Sequence, residues 1–187
     1  MMNKNLRDYV KVYNLMSPEF CSNTVEQLKQ SNFIEHVVYN TKEQKKITLP
    51  NQAHTYYGTI ANTPDLMKHV YSALSQYILT DLNFKWFDGW EGYSVPRFNR
   101  YTKGQSLHNH CDQIRNLVEG FQKGVPKITT LGVLNDDYSG GEFLMFEDEV
   151  IETKVGDIIV FPSSFLYPHL VKEVTDGERY TFVSWAW

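Results

Sequence analysis

Cysteine is scarce in this chain, with only Cys21 and Cys111 among 187 residues. So few thiols provide no disulfide framework, which excludes a small stapled secreted domain and makes a reducing, cytoplasmic compartment the expectation. Positive charge is not in excess either. The formal net charge is -4, which argues against a general affinity for nucleic acid, normally signalled by a basic patch. No window approaches the ~20 apolar residues of a membrane-spanning helix. The opening Met1-Met-Asn-Lys-Asn-Leu-Arg-Asp8 is polar and lacks the apolar segment of a signal peptide. Internal repeats and low-complexity stretches are also missing. Aromatic residues are plentiful: they make up 14% of the chain, including 12 Tyr and 11 Phe. Such rings favour strands.

In chain order, Tyr9 to Tyr13 alternates like a short strand. Ser17-Pro18 predicts an N-cap followed by Pro at the first helical position, with a helix to about Gln30 and Phe20, Val25 and Leu28 facing inward. Phe33 to Tyr39 reads as a strand, and the polar Asn40 to Gln52 as an exposed loop or edge. Thr63-Pro64 predicts a second helix start. Leu66, Met67, Val70, Leu74, Tyr77 and Ile78 then form a helical stripe for the core, leaving His69 at the surface. Beyond Leu82 the period changes. Trp86 to Tyr101 reads as strands, followed by Lys127–Leu134, Glu142–Phe146, Val150–Lys154, Asp157–Phe161, Leu170–Val174 and Arg179–Trp185. The turn-forming runs Asn135-Asp-Asp, Ser139-Gly-Gly, Val155-Gly-Asp, Pro162-Ser-Ser and Thr175-Asp-Gly punctuate them. Two helices followed by about eight short strands predict a mainly β fold, a double-sheet jelly roll with both helices packed on one outer face.

The densest chemistry lies in Tyr101-Thr-Lys-Gly-Gln-Ser-Leu-His-Asn-His-Cys-Asp112. Residues two apart on a strand project from one face, so His110 and Asp112 can converge on one ion. His169, 59 residues further on, is the natural third ligand. Two imidazoles and one carboxylate on one face of a metal are the pattern of non-haem Fe(II) oxygenases. By itself a His-x-Asp triplet arises by chance in about one in three chains with this His and Asp content, and His108 could replace His110 as a ligand. Cys111 should point away from the ion as a small packed residue. Arg179 adds a second signal. Its planar fork suits the far carboxylate of a 2-oxoglutarate cosubstrate that chelates the metal at its other end. On a flat hairpin turning at Asp176-Gly177, Arg179 would sit roughly 16 Å from His169 and on the opposite face. The pair can share one ligand only if the chain crosses here to a facing sheet.

Taken together, four stretches resemble the catalytic domain of the prolyl 4-hydroxylase type of Fe(II)/2-oxoglutarate-dependent dioxygenase, including compact bacterial and viral members. They are Tyr101-x-x-Gly104 ahead of His110-x-Asp112; Leu134-Asn-Asp-Asp-Tyr-Ser-Gly-Gly-Glu142; Gly156-Asp-Ile-Ile-Val-Phe-Pro162; and His169 through Arg179 to Trp185. The resemblance covers about half the chain. It implies residues 91–187 as a double-stranded β-helix core and residues 1–90 as a supporting region of the same single domain, 1–187. It implies His110, Asp112 and His169 as iron ligands, favouring His110 over His108, with Arg179 and Tyr101 on 2-oxoglutarate. Trp185, and with it Tyr93, would lie toward the substrate. Val133 stands where animal relatives carry a second cosubstrate tyrosine, leaving Thr129 and Leu131 as possible neighbours of that pocket.

The activity so implied is hydroxylation of a C–H bond with release of succinate and CO2, with ascorbate as a possible reductant. A prolyl residue in a peptide or protein is the leading substrate, with Tyr56, Tyr57, Trp90, Tyr93 and Tyr167 as a candidate aromatic groove. No nucleic-acid or membrane partner is expected, and the location would be the host cytoplasm for a viral member. A nucleic-acid demethylase would carry a second Arg where Trp185 stands. The same fold could also act on a small molecule or a non-prolyl residue. It could equally serve as a cupin-like metal module without 2-oxoglutarate chemistry, or as an interaction domain, although the intact set His110, Asp112, His169 and Arg179 argues against a degenerate binder.

Overall fold

A computed structural model describes residues 5–40, 43–87, 89–113 and 125–187. After a 3-10 turn at Leu6–Tyr9, the elements in chain order are β1 (Lys11–Asn14), α1 (Pro18–Lys29), β2 (Ile34–Glu35), β3 (Val37–Asn40), β4 (Lys45–Thr48), β5 (His54–Tyr56) and α2 (Thr63–Ser75). A π-helical stretch, Gln76–Leu82, extends α2. There follow β6 (Arg97–Tyr101), β7 (Leu107–His110), β8 (Ile128–Val133), β9 (Ser139–Gly140), β10 (Phe143–Met145), β11 (Glu149–Val150), β12 (Asp157–Pro162), β13 (His169–Val171), β14 (Val174–Asp176) and β15 (Arg179–Ala186). The fold is mainly β, with two α-helices and antiparallel sheets. No helix among the described residues is long and apolar enough to cross a membrane.

Both helix starts carry proline for the reason the sequence suggests: the first amide groups of a helix have no internal acceptor, so Pro sacrifices nothing there. Ser17 caps α1, its Oγ accepting from the Phe20 amide at 3.1 Å. The second start lies one residue earlier than expected. Asn62 occupies the cap position, and Thr63 and Pro64 are the first helical residues. Asn62 is used to join the two helices instead: Gln27 Nε2 donates to the Asn62 Oδ1 at 2.9 Å, and the Asn62 backbone amide donates to Gln27 Oε1 at 3.0 Å. His69 is not a plain surface residue. It is half-buried against the Phe20 ring, 5.1 Å between centroids, and its pKa is lowered by burial.

A seven-stranded sheet, ordered β1-β12-β8-β15-β6-β5-β2, faces a four-stranded sheet, ordered β11-β10-β13-β7. Strands β8 and β15 are buried along their whole length, so their two faces serve two different cores. Ile158, Val160, Phe98 and Phe182 pack with Leu28, Leu66, Val70 and Leu74 of the helices. The alternate residues Ile159, Phe161, Leu131, Val133 and Tyr101 pack with Phe143, Met145 and Val171 of the smaller sheet. This is the period of two expected of a strand.

Three expectations are corrected. Phe33 to Tyr39 is two strands, β2 and β3, which enter different sheets. The stretch Asn40 to Gln52 contains β4, paired with β3 in a two-stranded ribbon. Of Trp86 to Tyr101, only Arg97–Tyr101 is a full strand. Before it, Tyr93 forms an isolated bridge with Ala186, and the Glu91 and Ser94 amides donate to Trp187 and Trp185 carbonyls. Gly89, Gly92 and Pro96 interrupt any longer ladder.

Candidate metal and cosubstrate site

Strands β13 and β7 are antiparallel neighbours in the smaller sheet, and their register sets His169 directly opposite His110. The two imidazole centroids are 4.3 Å apart. Asp112 lies two residues past His110, but β7 has ended and the chain bends there. The bend turns the carboxylate between the two rings: Asp112 Oδ1 is 3.6 Å from His110 Nε2, and Oδ2 is 3.8 Å from His169 Nε2. Donors about 2.1 Å from a common ion stand roughly 3 Å apart, so a small inward movement closes this set on a metal. Among the described residues it is the one His, Cys, Asp or Glu cluster able to hold one.

The surroundings suit metal binding. His110 Nδ1 lies 2.7 Å from the His108 carbonyl, and His169 Nδ1 lies 3.1 Å from the Tyr167 carbonyl. A carbonyl only accepts, so each Nδ1 carries the proton and each Nε2 presents a lone pair toward Asp112. Burial, with help from the neighbouring His169, pushes the His110 pKa down to about 4. The ring is therefore neutral at pH 7 and has no proton to give up before binding a cation. Burial alone would hinder ionisation of Asp112. His169, His110, the Thr129 hydroxyl and the Trp185 indole together outweigh it and hold the carboxyl below its usual range. Thr129 Oγ1 donates to Asp112 Oδ2 at 2.7 Å and lies 2.8 Å from Ser163 Oγ. The Trp185 indole leans toward the same carboxylate without a hydrogen bond of ordinary geometry.

Arg179 opens β15 on the facing sheet, opposite Tyr101 of β6. His169 and Arg179 therefore do lie in different sheets, the crossing that a shared ligand requires. The Arg179 side chain is 1% exposed, and its Nε and Nη1 are buried without a hydrogen-bond partner among the described residues. Its guanidinium carbon is 5.2 Å from the Tyr101 ring centroid and 5.9 Å from that of Tyr138. Gly141 (φ +67°) leaves it room, since a Cβ there would stand 3.1 Å from Arg179 Cδ. A buried cation with unused donors is costly unless an anion completes it. More unpartnered buried groups share this inner face: the hydroxyls of Thr55 and Thr181, Arg97 Nε and Trp185 Nε1. The register aligns Thr55 with Asn99 and Asn99 with Thr181. Beside Arg179, the row Thr55, Asn99 and Thr181 gives the polar lining that fits the far end of a small dicarboxylate chelating a metal at the triad.

Residues 96–187 match the model of the 2OG-Fe(II) oxygenase superfamily. That stretch, just under half of the chain, resembles the superfamily. It is 37% identical over 99 residues to a PKHD-type hydroxylase of Stenotrophomonas maltophilia, an overlap of 50% of this chain and 43% of the relative. A PKHD-type hydroxylase of Rippkaea orientalis is 37% identical over 91 residues, 47% and 40% of the two chains. The chain thus spans less than half the length of these curated relatives. Among solved structures, it superposes on a Trichoplax adhaerens prolyl hydroxylase in complex with a hypoxia inducible factor oxygen degradation domain peptide fragment. The TM-score is 0.69 at 17% identity, over 96% of this chain and 84% of the other. The viral collagen prolyl hydroxylase of Paramecium Bursaria Chlorella virus-1 gives a TM-score of 0.68 at 15% identity, over 95% and 94%. At these identities the likeness is one of fold.

Several side chains stand apart from the expected site. Tyr93 packs on the helix-side core, and its hydroxyl donates to the Met67 carbonyl. Tyr56 and Trp90 border that same core, Tyr57 is exposed, and Tyr167 belongs to the core between the sheets. These aromatics therefore form no single groove. Thr129 serves Asp112 rather than the Arg179 end, because its register partner is Trp185. Leu131 and Val133 are buried apolar walls. Ser163 and Thr181 escaped the sequence reading, although Thr181 shares the face of Arg179 two residues earlier. Cys111 is half-buried. His108 is exposed and lends the site only its backbone carbonyl. Substituting His108→Ala should leave iron stoichiometry within about twofold of wild type, measured by metal analysis after dialysis. Loss of iron in that variant, with retention in His110→Ala, would reverse the two assignments.

Proposed function

We propose that this protein is an Fe(II)- and 2-oxoglutarate-dependent oxygenase that hydroxylates a C–H bond of a prolyl residue in a peptide or protein. The observation that carries the reading is the pairing, between two facing sheets, of a His-Asp-His set with a buried Arg179 two of whose nitrogens lack a hydrogen-bond partner among the described residues. The two sheets would then be the halves of a double-stranded β-helix, with residues 1–90 as its support in one domain. The prolyl substrate is supported by the two neighbouring structures described above, both prolyl hydroxylases, one of them with a bound peptide.

His110, Asp112 and His169 would hold the ferrous ion on one face and leave its remaining positions open. When bound, the metal and 2-oxoglutarate together supply O2 activation: the cosubstrate leaves as succinate and CO2, and one oxygen atom goes to the substrate carbon. The chain's part is placement and exclusion. Backbone carbonyls fix both imidazole tautomers, and Thr129 keeps Asp112 anionic and oriented. Arg179, with Tyr101 and Thr181 beside it, would receive the carboxylate remote from the metal. Leu131, Val133, Ile159 and Phe161 keep bulk water from the reacting centre. Ascorbate would return over-oxidised iron to the ferrous state.

The test is succinate formation from 2-oxoglutarate with added Fe(II), followed by mass spectrometry of proline-containing peptides. Slow Fe(II)-dependent succinate release is expected without peptide, with acceleration and a gain of one oxygen when a substrate peptide is present. Iron binding without any succinate would put the cupin-like metal module in its place.

A further inference from the structure

Arg97 opens β6 and is absorbed by none of the roles above. The register pairs Arg97 with Val183, Asn99 with Thr181 and Tyr101 with Arg179. Strand alternation therefore puts Arg97 on the same inner face as Arg179, four residues or roughly 13 Å away along the sheet. Its guanidinium carbon sits 4.8 Å over the centroid of the Trp185 ring. Trp185 is the register partner of Thr129, which holds Asp112. Arg97 is thus a second cation on this face, at the end nearer the metal triad, with its guanidinium over Trp185. Its charge helps lower the pKa of His36 and of His110.

The Arg97 cation is incompletely satisfied. Its Nε is buried without a partner, and among the described residues no carboxylate pairs with it. The Trp185 face supplies a cation–π contact but no acceptor for the five guanidinium N–H groups. Asp112, the nearby carboxylate, accepts from Thr129 and faces both histidines as a member of the metal triad. A 2-oxoglutarate chelating the metal at one end and held by Arg179 at the other has no carboxylate left for Arg97.

We infer that Arg97 is a specificity-determining residue and that it receives a carboxylate of the primary substrate, held against Trp185 beside the metal triad. This rests on the oxygenase reading above and narrows its substrate to one with an acidic group near the oxidised carbon. The group is either the terminal α-carboxylate of an imino acid or the side chain of an acidic residue next to the target. Arg rather than Lys suits this task, because its planar fork offers two parallel donors to a carboxylate.

The experiment is calorimetric titration of protein loaded with Mn(II) and 2-oxoglutarate. Four probes separate the sources: N-acetyl-L-proline and N-acetyl-L-prolinamide for the terminal carboxylate, N-acetyl-Pro-Glu-amide and N-acetyl-Pro-Gln-amide for the side chain. Wild type should bind at least one acid about tenfold more tightly than its neutral twin, a modest ratio because Arg97 is half-exposed. Arg97→Gln should erase that ratio while keeping the wild-type affinities for Mn(II) and 2-oxoglutarate, and Arg97→Lys should restore part of it. Equal binding of acid and neutral twin, binding of none of the four, or loss of 2-oxoglutarate affinity in Arg97→Gln would overturn the assignment. If wild type itself fails to bind 2-oxoglutarate, the oxygenase reading falls first and the role of Arg97 with it.

Discussion

Arg179→Ala is expected to retain Fe(II) and to lose 2-oxoglutarate. The guanidinium is buried, two of its nitrogens have no protein acceptor, and its strand faces the triad from the other sheet. Truncating one partner of a buried, hydrogen-bonded charge pair costs about 2–5 kcal/mol, or roughly 30-fold to several thousand-fold in affinity. The variant also removes the stem packed beside Gly141, so thermal unfolding must be measured alongside. Arg179→Lys should fall in between, since a point charge replaces a fork. The direct measurement is an anaerobic titration of the metal-to-ligand charge-transfer band. An unchanged dissociation constant in Arg179→Ala would remove this residue from the cosubstrate pocket. A missing band in wild type would mean that 2-oxoglutarate does not chelate the iron.

Replacing His169 with alanine should have the larger effect on the metal, with a fall in Fe(II) affinity on the order of 100-fold or more. Even a partner that only orients a ligand is worth 10–100-fold, and His169 would be a ligand itself. It is 4% exposed and oriented by the Tyr167 carbonyl. The ring also packs edge-on to Phe161, 5.1 Å between centroids, so alanine leaves a small cavity as well. His169→Gln fills that space without an imidazole lone pair and separates packing from coordination. His110→Ala should lose iron similarly with less structural cost, because that ring is partly exposed. Iron stoichiometry after dialysis, by elemental analysis, decides the matter. Full occupancy in both His110→Ala and His169→Ala would end the triad assignment.

Much of the chain was legible from short-range rules. Ser17-Pro18 works as a helix start because cap chemistry involves only a few neighbouring residues. The Leu66, Val70 and Leu74 stripe reflects a period that a backbone imposes on itself, and the apolar run Asp157 to Phe161 was marked as a strand by the turn residues that bound it. The candidate ligand types were readable because few side chains bind iron and open positions demand a particular mixture. Boundaries were less legible wherever partners decide them. Thr63 yielded the cap position to Asn62 because Asn62 finds Gln27 across the helix pair. Trp86 to Tyr101 yielded most of its strand character because a ladder needs a neighbour, and Gly and Pro interrupt it.

The sequence by itself determined a candidate donor set, the start of α1 and, if one ligand is to bridge them, the need for His169 and Arg179 to face one another from different sheets. Only the tertiary structure decided how that need was met. The His110–His169 pairing depends on the register between β7 and β13, which joins residues 59 positions apart. The bend after His110, not strand alternation, delivers the Asp112 carboxylate. Thr129 became the partner of Asp112, and Arg97 came to lie over Trp185, because β8, β15 and β6 are adjacent in the large sheet. Spacing along the chain carries no information on adjacency between distant strands. That adjacency is set by which faces bury together, and it is what turned dispersed polar residues into neighbours on one inner face.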